Sequence, residues 1–168
     1  MLLSKTSEYA LQALIYLATQ PPGQLVLSGD IWEYLKDPDD PRVPPRQYLA
    51  KILQDLSKSG ILESRKGRGG GFVLAPGAEN RNILDVVEIV ERKPLGQGCV
   101  LGLKKCEDAT ACPVHYAWKP LKAEVIELLS QQTIGGMAAA VRAGKYRIHL
   151  PGVSVARGKT TASVTGKA

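Results

Sequence analysis

Three cysteines, Cys99, Cys106 and Cys112, fall within one short segment that otherwise reads as loop, and His115 follows three residues after the last of them. They are the only cysteines of the chain, and His115 is one of two histidines. Thiolate is a soft ligand that selects zinc, copper(I) or iron–sulfur clusters. The spacing is Cys-x6-Cys-x5-Cys-x2-His. Zinc fingers usually pair their cysteines across two to four residues. The wider gaps here suit a loop wrapped around a larger object, an iron–sulfur cluster held by thiolates. Gly96, Gly98 and Gly102 give that loop freedom to wrap. Two other readings stay open: a zinc site, and three unligated thiols acting as a redox switch, with Lys104 and Lys105 favouring the Cys106 thiolate. His115 is a candidate fourth ligand, although a lone histidine at a helix start is also a common surface or capping residue. His149 has no such context.

The chain has 168 residues, a net charge of +6 and a hydrophobic fraction of 44%, with only 5% aromatics, so its core must be built mainly from Leu, Ile, Val and Ala. No apolar run is long enough to span a membrane. The start carries no signal-peptide pattern, and the expected compartment is the cytoplasm. There, clustered cysteines read as metal-binding or redox-active and not as a disulfide framework. The basic balance favours a polyanionic partner.

The elements around the cysteines follow from periodicity. Residues 5–20 form a helical pattern through Tyr9, Ala10, Ala13, Leu14, Leu17 and Ala18, closed by Pro21, Pro22 and Gly23. A short helix over 29–36 is expected to have Ser28 as its N-cap. Residues 37–45 hold four prolines and three aspartates and cannot continue it. A third helix begins near Pro45, with Leu49, Ile52, Leu53 and Leu56 as the buried stripe and Gly60 beyond its end. Residues 61–65 and 72–75 read as two strands joined by a Gly-rich hairpin loop. A fourth helix covers 83–91 with Asn82 as cap. After the cysteines, a longer helix runs to about residue 132. Within it Val114, Trp118, Leu121, Val125 and Leu128 step by four, three, four, three, the seam of a helix packed along a partner helix. Pro120 must start a new helix there or bend this one. Thr133 caps a last short helix through Val141.

Helix, helix, turn, helix and hairpin is the order of a winged helix-turn-helix, in which the third helix enters the major groove and the wing reaches the backbone or minor groove. The fold class expected is mainly α with a small β-hairpin wing, plus a C-terminal dimerisation helix. The boundaries are 1–78 for the DNA-binding domain, 79–141 for the cysteine loop and dimerisation helices, and 142–168 for a disordered tail, which from Pro151 on is rich in Ser, Thr, Gly, Val, Lys and Arg with no periodic face. The expected DNA-contacting residues are Arg46, Gln47 and Lys51 on the third helix and Arg65, Lys66, Gly67, Arg68 and Gly69 in the wing. Arg can fork onto guanine and Gln onto adenine, while glycines let backbone approach phosphate. A nucleotide-binding P-loop is excluded, because no Lys-Ser or Lys-Thr follows the glycines and no helix opens there. No catalytic pairing is visible, so no enzyme and no small-molecule substrate are expected.

Three motifs, Lys5-Thr-Ser-Glu-Tyr-Ala-Leu, Tyr48-Leu-Ala-Lys-Ile-Leu and Gly67-Arg-Gly-Gly-Gly-Phe, together with three cysteines after the fourth helix, resemble the Rrf-two family of bacterial regulators, over about residues 1–141. The resemblance implies a homodimeric transcription regulator, a repressor, binding double-stranded DNA at a pseudo-palindromic operator. It also implies a 2Fe–2S or 4Fe–4S cluster sensing iron, redox state or nitric oxide, and a seam of Trp118, Leu121, Val125 and Leu128 between protomers. For the fourth ligand it offers two positions: His115, as in IscR-like members, or Glu8 from the other subunit, as in NsrR-like ones. The alternatives are a zinc-bound or cluster-free regulator of the same fold, or a redox or iron–sulfur protein that binds no DNA. The chain departs from the family in a lengthened turn at 37–42, in the x6 gap where x5 is common, and in Pro120.

Overall fold

The computed structural model describes residues 3–36 and 44–144. The lengthened turn at 37–42, the tail from residue 145 onward and His149 lie outside them. In chain order the elements are α1 (Lys5–Thr19), α2 (Ser28–Leu35), α3 (Arg46–Lys58), β1 (Leu62–Arg65), β2 (Gly71–Leu74), α4 (Ile83–Glu91), α5 (His115–Gln131) and α6 (Ile134–Arg142), with 3-10 turns at Ala78–Asn80 and Asp108–Thr110. The fold is thus mainly helical with one two-stranded antiparallel sheet, as the sequence predicts. Among the described residues no helix is long and apolar enough to cross a membrane.

The central element is α1. Ala10, Ala13, Leu14 and Leu17 are buried on it, and α2, α3, α4 and α6 pack around it. Small residues at two of these positions let neighbouring helices approach closely, while burial of a side chain such as Leu14 stabilises the fold by about 1.5–3 kcal/mol. The expected stripe of α3, Leu49, Ile52, Leu53 and Leu56, is buried in the same core, as are Ile83, Val86 and Val87 of α4 and Ile134 of α6. The helix carrying the expected DNA contacts and the helix preceding the cysteines therefore share one apolar interior.

Helix ends follow side-chain chemistry. Asn82 accepts the Asp85 N–H at 2.7 Å, and Thr133 accepts the Gly136 N–H at 3.0 Å, as capping predicts. Ser4 caps α1 by accepting from Ser7. At α2 the expectation fails: Ser28 is the first helical residue, Leu27 holds the cap position, and no side chain caps that end. Of the two outcomes expected at Pro120, no new helix opens there. The proline lies inside one continuous helix and cannot donate to the Tyr116 carbonyl one turn back. The last helix extends to Arg142, one residue into the segment assigned to the tail.

The hairpin pairs Leu62 with Leu74 and Arg65 with Gly71. A contact absent from the sequence reading completes it: Val26 and Phe72 exchange two backbone bonds of 2.9 and 2.8 Å, so the segment before α2 lies alongside β2. Gly71 is required there. A Cβ on it would lie 2.5 Å from the Val26 carbonyl oxygen, and its φ is +150°.

Candidate functional site

The cysteine segment connects α4 to α5. Lys122 of α5 donates to the Gly96 carbonyl at 3.0 Å, and the loop runs so close to this helix that a Cβ on Gly96 would lie 3.0 Å from Ile126 Cδ1. Gly96 also has φ +87°, a backbone that favours glycine, and a side chain there would push those of Ile126 and Lys122 aside. Farther along, the Gly102 N–H bonds to the Cys99 carbonyl at 2.9 Å, closing a tight turn after the first cysteine.

All three cysteines are free thiols; Cys99 and Cys112 are buried and Cys106 is half-buried. The sulfur atoms of Cys99 and Cys112 are 3.5 Å apart. Cys106 Sγ lies 3.6 Å from Nδ1 of His115, a ring only 2% exposed at the first position of α5. The His115 N–H bonds to the Cys112 carbonyl at 2.9 Å, which ties the helix start to the last cysteine. The thiol of Cys99 is held below its ordinary pKa, first by the backbone N–H of Leu101 and further by Cys112, against the opposing effect of burial. On the far side of the ring, His115 Nε2 lies 2.7 Å from Asp108 Oδ1, and Lys119 Nζ reaches both Asp108 oxygens at 2.9 Å. Lys119 and then His115 hold the Asp108 carboxyl below its usual range, and Asp108 raises Lys119.

Among the described residues no group of three or more His, Cys, Asp and Glu converges as a single metal ion would need. The four predicted donors gather as two pairs instead. A tetrahedral metal with bonds of about 2.3 Å to sulfur holds two of its ligands about 3.8 Å apart. Both pairs have nearly that spacing, as two donors on one tetrahedral metal would need. Glu8, the other candidate, is half-buried on α1 and ion-paired with Lys5 of its own chain.

The second candidate surface is α3 with the wing. Arg46, Gln47, Lys51, Arg65, Lys66, Gly67, Arg68 and Gly69 are all exposed. Arg46 is not free: its guanidinium lies 4.3 Å from the centre of the Trp32 ring and pairs with Glu33 at 2.9 Å, while Trp32 Nε1–H donates to the Pro44 carbonyl at 2.7 Å. These partners from α2 hold the start of α3. Lys51, Arg65, Lys66 and Arg68 form no ion pair among the described residues.

On α5 the predicted seam divides. Leu121 and Leu128 are exposed by 52% and 57%. Trp118 and Val125 are half-buried and line a groove of about 600 Å³, shared with Leu3, Leu95, Gly96 and Cys99. His115 is the only buried residue of this helix.

Sequence reasoning missed several residues that the fold brings together. Lys119 was detectable, one turn after His115 on the same helix face. Asp108 was not, because it reaches the ring only through the 3-10 turn at Asp108–Thr110. Ser7, fully buried on α1, donates to Glu91 at the end of α4 at 2.6 Å, and neighbouring Thr6 hydrogen-bonds Tyr48 of α3. Nothing in their spacing signals either contact.

The architecture is that of winged-helix regulators. The oxidised form of CymR from Staphylococcus aureus superposes with a TM-score of 0.60 at 20% identity, covering 82% of this chain and 96% of that one. The T. potens IscR structure gives 0.61 at 19%, covering 88% and 93%. By sequence, a helix-turn-helix-type relative in Aquifex aeolicus is 35% identical over 80% of this chain and 89% of its own length. The transcriptional regulator NsrR of Bacillus licheniformis is 28% identical, over 80% and 90%. Residues 3–140 match the Rrf2 profile, described as iron-dependent transcriptional regulator. The chain belongs to the Rrf2 family and is a DNA-binding transcriptional regulator.

Proposed function

We propose that this regulator senses its signal through an iron–sulfur cluster held by Cys99, Cys106, Cys112 and His115, and acts on DNA as a homodimer, repressing transcription. The observation that carries the reading is the division of the four donors into two pairs, 3.5 and 3.6 Å apart. His115 is favoured over Glu8 because its Nδ1 already lies beside Cys106, whereas Glu8 pairs with Lys5. When bound, the cluster supplies a centre that oxygen, nitric oxide or iron shortage can disrupt, most readily at a non-thiolate ligand.

The chain's own residues offer a route from that loop to DNA. Glu91 ends the helix before the loop and accepts from Ser7; Thr6, next in sequence, hydrogen-bonds Tyr48, two residues from Arg46 on α3. A change in the loop that moves the end of α4 therefore bears on the start of α1 and, through it, on the base-facing helix. In the DNA-bound state Arg46 exchanges Glu33 for a base edge, and Lys66 and Arg68 take phosphates.

Anaerobic purification followed by absorption and Mössbauer spectroscopy, with gel shifts on genomic fragments, tests the reading. A brown protein whose operator affinity changes on cluster loss is expected. A colourless protein with stoichiometric zinc, after attempted reconstitution, would replace the cluster with a structural zinc site. Failure to shift any fragment would remove the regulator's proposed DNA surface.

A further inference from the structure

We propose that Asp108 is the positioning residue of the cysteine site: its carboxylate fixes the tautomer and orientation of His115, and Lys119 fixes the carboxylate. This rests on the reading of His115 as the non-thiolate donor.

A neutral imidazole has one N–H and one lone pair, and the partner of one nitrogen decides the role of the other. Asp108 Oδ1 lies 2.7 Å from Nε2. An ionised carboxylate only accepts, so Nε2 carries the hydrogen and donates. The lone pair is then on Nδ1, the atom that faces Cys106 Sγ at 3.6 Å. The ring is 2% exposed, so water cannot readily replace either partner.

The carboxylate itself is on an exposed residue and would rotate if it had only the ring to hold it. Lys119 prevents this by reaching both oxygens at 2.9 Å. Because Lys119 lies one helical turn after His115, α5 sets the spacing between the clamp and the ring. A bare surface ion pair between Asp108 and Lys119 would be worth little and would have no reason to aim one oxygen at a buried ring nitrogen. The neighbouring acid shows the contrast: Glu107 faces Lys105 at 3.8 Å and takes no part in the site. Lys119 has a second consequence. It neutralises Asp108, so the ring gains a carboxylate partner without adding net negative charge beside three thiols. A carboxylate on the remote nitrogen makes imidazole a better donor, the arrangement common behind metal-bound histidines.

The test uses the full-length chain with His149→Gln, so that His115 gives the one ring signal. Long-range 1H–15N spectra of the metal-free protein should show the Nε2–H tautomer, and Asp108→Ala should turn it into a mixture. In the cluster-loaded protein, Asp108→Ala should speed cluster loss by about 10–100-fold, the usual effect of removing such a partner. Lys119→Met should give a smaller change in the same direction, and Asp108→Glu should restore part of it. A mixed tautomer in the parent protein, or an unchanged tautomer in Asp108→Ala, overturns the inference. So does an altered tautomer with cluster lifetime unchanged. A parent protein that takes up no cluster would instead fail the cofactor reading, and it is told apart because the tautomer is measured without metal.

Discussion

At the scale of single residues, the site is a chain of paired contacts: Cys99 with Cys112, Cys106 with His115, and His115 with Asp108. Replacing any of Cys99, Cys106 or Cys112 with Ser leaves one pair of donors incomplete, and each variant should purify with little or no brown colour by absorption spectroscopy. His115→Ala should lose the cluster readily, while Glu8→Ala should keep it; the reverse result would move the fourth ligand to α1 of the other subunit. Ser7 and Glu91 make a different prediction. Burial works to raise the Glu91 pKa, but hydrogen bonds from Ser4 and Ser7 outweigh it and hold the carboxyl below its ordinary value. A lowered folded pKa means that the bond contributes stability above the ordinary carboxylate range and loses it as pH falls through the folded value. Ser7→Ala should therefore cost about 1 kcal/mol at neutral pH, a value reduced from a fully buried charged bond because Glu91 is partly exposed. Urea unfolding should show this difference shrinking in acid.

At the scale of elements, the proposed roles of α3 and the wing predict different effects on DNA binding. Arg46→Ala or Gln47→Ala should cost roughly 1–3 kcal/mol on the specific operator if the side chain reads a base. Lys66→Ala should weaken all sequences evenly and reduce the salt dependence of binding, because phosphate contacts carry no sequence information. Unchanged affinity in a quadruple alanine variant of Arg46, Gln47, Lys66 and Arg68 would place the DNA elsewhere. Fluorescence anisotropy across a salt series separates these outcomes. Glu33, the 2.9 Å partner of Arg46, would compete with DNA for it, so Glu33→Ala should raise operator affinity if Arg46 reads a base. The helix before the cysteine loop depends on its cap: Asn82→Ala should lower stability by about 1 kcal/mol, measured by thermal unfolding.

At the scale of the whole molecule, α5 buries only His115 and leaves Leu121 and Leu128 on its surface. Two large exposed leucines one heptad apart suit a second copy of the same helix, and an isologous pairing would present two α3 helices to a two-fold operator. Leu121→Asp with Leu128→Asp would bury unpaired charge in such a seam and should yield a monomer by analytical ultracentrifugation. A dimer that persists would shift the interface to another face. Trp118 and Val125 line the groove beside Cys99, so substitutions there should disturb the cysteine loop as well as assembly.

The order of the helices, the buried stripe of α3, the caps at Asn82 and Thr133, the Gly-rich wing and the concentration of thiols before α5 are all legible in the sequence. Each depends on residues within a turn or two of one another, where periodicity and capping act. The contacts that no local pattern signals lie between elements. The bridge from Val26 to Phe72, the hold of Trp32 and Glu33 on Arg46, and the contacts of α1 with Glu91 and Tyr48 join positions far apart in the chain. At Pro120 the sequence left two outcomes open, a new helix or one helix carried through, and the structure has the second. Cysteine spacing states which donors are available. Their division into two pairs, and the placement of Asp108 behind His115, came from the path the loop takes across α5, which no local pattern encodes.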